Sequence, residues 1–151
     1  MLPLQEGPPA STAPSYGLRA GWSVCDLTPD LPFALGGYAA RVGDAAAVHD
    51  RLEGRALALE AGQQAVILIA DLLAVDETLV EAVRQRLRER LGNDAPVCWI
   101  AATHTHSGPE VTSLPGLPDE GARAAQVRPF LVERLATAAL AALHRLQPVE
   151  M

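Results

Sequence analysis

Two histidines, His104 and His106, stand one residue apart within the run 103–109, which reads THTHSGP. In extended backbone, alternate side chains point to the same face, so the two imidazoles are expected to lie side by side. Imidazoles paired in this way just before a Gly-Pro turn are suitable donors for a metal site. The pattern also occurs where one histidine caps a turn and the other meets solvent. The pair alone therefore leaves both interpretations open.

The elements around the histidines are predicted from their apolar patterns. The apolar run 97–102 predicts a buried strand that ends at the two histidines. The run 65–70 predicts a central strand covered on both faces, and it ends at Asp71. Between these strands, Asp76 is a good N-cap for an amphipathic helix over 77–91. The resulting βαβ unit places Asp71 and both histidines at the edge where ligands of α/β sheets bind.

The remaining elements complete a mixed sheet. Strands are predicted over 19–27 and 55–60, and a hairpin at 61–63 leads into the next strand. A long loop is predicted over 110–128, followed by a second helix over 129–146 that opens on a proline. The fold class is therefore α/β, with a mixed sheet, a βαβ unit and two main helices. Because another strand is expected after the second helix, the domain is apparently incomplete.

The chain divides into a tail and one domain. Residues 1–18 are rich in proline, serine and glycine and predict a mobile tail, while residues 19–151 predict a single α/β domain. Within the domain, Gly36 and Gly37 predict either a tight turn or a close backbone approach to a ligand. His49, which stands apart from the histidine pair, is more typical of an ordinary polar histidine than of a ligand.

Composition limits the classes of function. Of the 151 residues, 49% are hydrophobic, which is typical of a globular protein. A formal net charge of −6 and a pI near 5.1 disfavour nucleic acid as a partner. No apolar run approaches the roughly 20 residues of a membrane span, and the N-terminus lacks a secretory signal, so the predicted location is cytoplasmic. Cys25 and Cys98 lie in strand-like runs and predict buried free thiols.

Several segments also carry a family resemblance. They occur in the order found in the neutral/alkaline non-lysosomal ceramidases, and together they cover most of residues 19–109. The chain therefore resembles the N-terminal portion of the catalytic domain of that family. The matching segments are 20–29 (AGWSVCDLTP), 37–39 (GYA), 48–56 (VHDRLEGRA), 70–73 (ADLL) and 103–109 (THTHSGP).

The resemblance implies a zinc-dependent amide hydrolase that cleaves the N-acyl bond of ceramide to sphingosine and a fatty acid. It implies a zinc held by two histidines, a glutamate and a tyrosine, with an active-site serine. The first zinc histidine corresponds to His104, and His106 would orient substrate or bound water. Asp71 is the second candidate catalytic residue, while His49 lies near the site edge with no assigned role. The other zinc ligands and the serine have no counterpart here, so little or no activity is expected from this chain.

Two alternatives stay open beside the ceramidase-like hydrolase. The first is a non-catalytic, truncated or degenerate ceramidase-like domain that needs a partner or the missing C-terminal part. The second is a small self-contained metal hydrolase that uses Asp71, His104 and His106. Either way, an open sheet edge would favour self-association.

Overall fold

The computed structural model of the chain describes residues 17–38, 40–112 and 121–150. Most of the predicted mobile tail, residues 1–16, lies outside the described residues. The described part forms a five-stranded mixed sheet with two long helices, which confirms the α/β class. In chain order, the elements are β1 (Arg19–Asp26), β2 (Glu53–Ala61), β3 (Gln63–Ala70), α1 (Glu77–Leu91), β4 (Val97–Ala102), α2 (Gly121–His144) and β5 (Gln147–Pro148).

The sheet has the strand order β4-β3-β2-β1-β5. β1, β2 and β3 form an antiparallel meander, and the β2–β3 hairpin turns at Gly62, whose φ of 80° lies in the left-handed region. β3 and β4 pair in parallel from Ala65 opposite Val97 to Ala70 opposite Ala102, and α1 is the crossover between them. The predicted βαβ unit is therefore confirmed.

Both helices pack on one face of the sheet, and the core lies between them and that face. Alternate strand residues such as Ala58, Val66 and Leu68 are fully buried there. The apolar stripe of α1 enters the same core through Leu79 and Val83, as its four-residue spacing predicts. The side chains at the intervening strand positions lie on the opposite face of the sheet, away from the helices.

The prediction that the central strand is covered on both faces is wrong. Trp22, Leu57, Ile67 and Trp99 lie opposite one another across β1, β2, β3 and β4, on the side away from the helices. Three of them are 40–66% exposed. A continuous apolar run indicates that both faces of a strand are apolar, but it cannot supply a second layer to cover them. We call this side the open face; its apolar residues include Trp22, Val24, Leu57, Ile67, Ile69, Val97 and Trp99.

The second helix begins at Gly121, not at Pro129 as predicted, and it ends at His144. Residues 121–128 contain three alanines and other good helix formers, which favour helix on the N-terminal side of the proline. Pro129 offers no N–H to the carbonyl of Ala125, but Ala125 is exposed and that carbonyl can bond water. The predicted loop over 110–128 is therefore shorter, and its part 113–120 lies outside the described residues.

The strand expected after the second helix is present but short. β5 has two residues and pairs with β1, with Pro148 opposite Arg19. It lies at the edge opposite β4, so the outer edge of β4 has no neighbouring strand within the described residues.

The prediction of two free thiols is confirmed. Cys25 and Cys98 are free thiols, Cys98 buried and Cys25 half-buried, and burial raises the pKa of both. No helix in the described part of the chain is long and apolar enough to cross a membrane.

One ion pair joins the start of α1 to α2. The Asp76 carboxylate caps α1 by accepting the Leu79 N–H at 2.7 Å. The Arg128 guanidinium donates to both oxygens of that carboxylate at 2.7 and 2.9 Å and also to the Val111 carbonyl at 2.7 Å. The hydrogen bonds from Arg128 are the main reason why the pKa of Asp76 is lowered.

We expect Asp76→Asn to lower the free energy of unfolding at neutral pH by about 1.5 kcal/mol, because asparagine keeps the cap and loses the charged pair. Asp76→Ala should cost about 1 kcal/mol more, because the cap is lost too. The folded pKa of Asp76 lies below its unfolded value, so its contribution is present above the unfolded pKa and fades as pH falls through the folded pKa. Urea unfolding from neutral pH to below pH 4 measures this. A wild-type advantage over Asp76→Asn that persists at the acid end would contradict it.

Candidate functional site

The histidine loop starts directly after β4, and its backbone is not extended. β4 ends at Ala102, and His104 has a φ of 64°. This left-handed conformation costs a non-glycine residue about 1–2 kcal/mol. Hydrogen bonds from the Thr103 N–H to the Ala70 carbonyl (3.0 Å) and from the Thr105 N–H to the Leu72 carbonyl (3.2 Å) hold the strained residue on both sides.

The same loop fixes the tautomer of His104. Its Nδ1 lies 2.8 Å from the Leu73 carbonyl oxygen. Because a carbonyl can only accept, Nδ1 carries the proton, and in the neutral imidazole the lone pair is therefore on Nε2. A backbone carbonyl behind one ring nitrogen is the usual support for a histidine that binds metal through the other nitrogen. His104 is also exposed, so Nε2 is within reach of a ligand.

His106 lies beside His104, as predicted. The two ring centroids are 5.1 Å apart and the rings meet edge-on at 81°. The two rings are neighbours, as predicted. The prediction assumed an extended backbone, however, and the backbone at His104 is left-handed. His106 Nδ1 is buried without a hydrogen-bond partner, and the Tyr38 ring lies 4.7 Å from the imidazole.

A second loop encloses the histidine loop, and the sequence did not single out its side chains. Arg41 donates to the carbonyls of Gly36 (2.9 Å) and His106 (3.0 Å), and its guanidinium lies 5.0 Å from the Tyr38 ring centroid. The paired glycines were the available signal. They do allow a close approach, but the partner of Gly37 is the His106 side chain and not a ligand.

Asp71 lies at the predicted edge, where it ties three strands together. One carboxylate oxygen accepts the Glu53 N–H at 2.9 Å, and the other accepts the Thr103 hydroxyl at 3.1 Å. Arg55 approaches the second oxygen at 3.9 Å. These contacts account for a carboxylate at this position on structural grounds, and the catalytic role of Asp71 stays a prediction.

A cleft of about 740 Å³ opens beside Asp71. Thr105 and Ser107 line it, whereas His104 and His106 do not. His49 lies on its far wall, 97% exposed, with Nδ1 2.7 Å from the Asp50 carboxylate. The sheet edge thus brings the two imidazoles together, but it does not gather Asp71 or His49 with them.

A zinc site is only partly provided. His104 has the tautomer and exposure that zinc requires, so this residue fits a ligand. A catalytic zinc takes about three protein ligands. Within residues 17–38, 40–112 and 121–150, no three histidine, cysteine, aspartate or glutamate side chains gather closely enough to hold a metal ion. The described residues therefore fit one ligand of a zinc site and not a complete set.

The architecture defines a partial α/β layer that carries a histidine pair at the carboxyl edge of its parallel strands. Solved structures with a similar fold include the neutral ceramidase from Pseudomonas aeruginosa and a ceramidase complexed with C2. Each has a TM-score of 0.73, is 24% identical and covers 88% of this chain. The chain spans 22% of the length of each, so its fold is that of a ceramidase-like fragment. No protein-family model and no curated protein matches the sequence.

The strain at His104 gives a test of the site. We expect His104→Gly to be more stable than His104→Ala by about 1 kcal/mol, because only glycine adopts the left-handed backbone without penalty. Both variants lose the imidazole and its hydrogen bond to the Leu73 carbonyl. The difference between their unfolding free energies therefore reports the backbone conformation at residue 104 alone. Denaturant unfolding of the pair measures it. Equal stability of the two variants would show that residue 104 is not held in this conformation.

Proposed function

We propose that this chain is the N-terminal portion of a ceramidase-like, zinc-dependent amide hydrolase. The reaction would be cleavage of the N-acyl bond of a ceramide-like lipid into sphingosine and a fatty acid. The observation that carries the proposal is the fitted tautomer of His104, at the sheet edge of a fold shared with neutral ceramidase. In this proposal His104 contributes one zinc ligand, and His106 orients substrate or bound water.

The proposal includes the prediction that this chain alone is inactive or weakly active. When bound, zinc would supply a Lewis acid and an activated water. The described residues offer one fitted ligand, so we derive no catalytic step through the metal. What the chain contributes by itself is the pre-oriented imidazole of His104, the neighbouring imidazole of His106, and the cleft beside Asp71 where a substrate can lie.

A zinc titration by calorimetry tests the metal assignment. We expect weak one-to-one binding by the chain, because a site with fewer than three protein ligands holds zinc poorly. His104→Ala should abolish the binding. His144→Ala is the matched control, because His144 is an exposed histidine in the last turn of α2, away from the candidate site.

Binding that is unchanged in His104→Ala would refute the role of His104. Tight binding that needs both His104 and Asp71 would instead favour the self-contained metal hydrolase. Hydrolysis of short N-acyl amides by the isolated chain would then be the next assay.

The open face favours the second hypothesis, a ceramidase-like domain that works only with a partner or with the C-terminal part of such an enzyme. Trp22 is 66% exposed and Trp99 is 54% exposed, and Leu57 and Ile67 lie between them in register. A continuous apolar surface of this kind usually marks a contact with another protein layer. We therefore infer that the open face packs against further protein when the enzyme is whole.

We expect Trp22→Glu to reduce the binding of a hydrophobic dye and any concentration-dependent self-association of the chain. The exposed position should limit the change in unfolding free energy to about 1 kcal/mol. Val42→Glu is the control, because Val42 is 97% exposed and lies outside the sheet. Dye fluorescence and sedimentation velocity over a range of concentrations are the measurements. Equal effects of the two variants would rule out the open face as the source of the association.

A further inference from the structure

We propose that the loop Phe33–Ala45 is the positioning element for His106, with Gly37 and Arg41 as its positioning residues. The loop closes on itself through an antiparallel bridge between its two end residues. Its Gly37 and Tyr38 lie against the imidazole, and His106 Nδ1 is buried. The inference rests on the proposed function for what His106 does at the site, and on geometry for how His106 is held.

The positioning loop is joined to the histidine loop by backbone hydrogen bonds. The Gly36 N–H donates to the Gly108 carbonyl at 3.1 Å, and the Glu110 N–H donates to the Ala34 carbonyl at 2.8 Å. These two bonds run in opposite directions across the pair of loops, as in a short antiparallel ladder. They fix the separation of the two backbones at the point where His106 lies.

Gly37 is the residue that the imidazole fits against. Its φ is +102°, and a Cβ placed on it would lie 2.5 Å from His106 Nδ1, 2.6 Å from Cγ and 3.0 Å from Cβ. The clash would involve the root of the His106 side chain and not a flexible end, so the ring would have to move. Gly43, in the same loop, has a φ of +87° but nothing within 4 Å of such a Cβ.

Arg41 holds the arrangement from the side. One guanidinium nitrogen donates to the Gly36 carbonyl and another donates to the His106 carbonyl, so a single side chain bridges the two loops. The same guanidinium lies near the Tyr38 ring, and that ring lies against the imidazole. The orientation of His106 therefore depends on residues more than 60 positions earlier in the chain.

The buried Nδ1 of His106 supports a functional reason for this packing. A buried polar atom without a partner is unfavourable and rare in native proteins, so its presence needs a reason, and a role at a functional site is one such reason. The side chain of His106 makes no hydrogen bond to any of the described residues, so within them its orientation comes from packing alone. In the proposed function, a substrate or a bound water would meet His106 at Nε2, because Nδ1 is buried.

The test compares Gly37→Ala with Gly43→Ala in the full chain by NMR of the histidine and tyrosine rings. Both variants place alanine at a left-handed position, so they share the backbone penalty and differ only in the clash with His106. We expect Gly37→Ala to lose the nuclear Overhauser contact between the His106 and Tyr38 rings and to shift the His106 ring signals. Gly43→Ala should keep both, and the His144 ring signals should stay unchanged in every variant.

Zinc provides the readout that a purely structural role would not change. In the wild type and in Gly43→Ala, zinc bound at His104 should also shift the neighbouring His106 ring signals. In Gly37→Ala the His104 response should persist while the His106 response is lost. An unchanged His106–Tyr38 contact, or an unchanged His106 zinc response, in folded Gly37→Ala would overturn the proposal.

A substitute variant and a second measurement cover the cases in which Gly37→Ala does not fold or zinc does not bind. If Gly37→Ala does not fold, Arg41→Lys replaces it, because lysine cannot bridge both carbonyls as the planar guanidinium does, and the same losses are expected. If zinc leaves His104 of the wild type unperturbed, the zinc part of the proposed function fails. The ring contact in the two glycine variants then still decides whether Gly37 positions His106.

Discussion

The parallel pairing of β3 with β4 is the interaction on which the candidate site depends. Its hydrogen-bonding pattern continues beyond the last strand pair, because residues just after β4 bond to carbonyls at and just after the end of β3. The His104 side chain completes this series by bonding to the Leu73 carbonyl. A slip of one residue in this register would turn every side chain of β4 to the other face and separate His104 from Leu73.

The left-handed backbone at His104 and the unpaired Nδ1 of His106 are two unfavourable features in one loop. Each is unfavourable by itself, and each is held by hydrogen bonds or packing from another loop. A fold that served stability alone would have little reason to retain both in adjacent imidazoles. In the proposed hydrolase, the two loops would hold the adjacent imidazoles in fixed orientations for a ligand.

The hydrophobic core covers only one face of the sheet, so the open face remains exposed to solvent. The helices bury one face of the sheet and leave an apolar row on the other. In the proposed hydrolase, a further protein layer would cover the open face and supply the zinc ligands that the described residues lack. The fold likeness to neutral ceramidase, of which this chain spans about a fifth, is consistent with such a layer.

The sequence by itself determined the elements whose signals are local. The helix over 77–91 follows from its cap and apolar spacing, and the hairpin and the βαβ unit follow from turn residues and apolar runs. The predicted start of α2 was wrong because Pro129 was interpreted as the first helical residue and the alanines before it were assigned to a loop. Only the tertiary structure decided that the open face is uncovered and that Gly37 and Arg41 enclose His106. Those facts depend on contacts between residues far apart in the chain, which local periodicity does not encode.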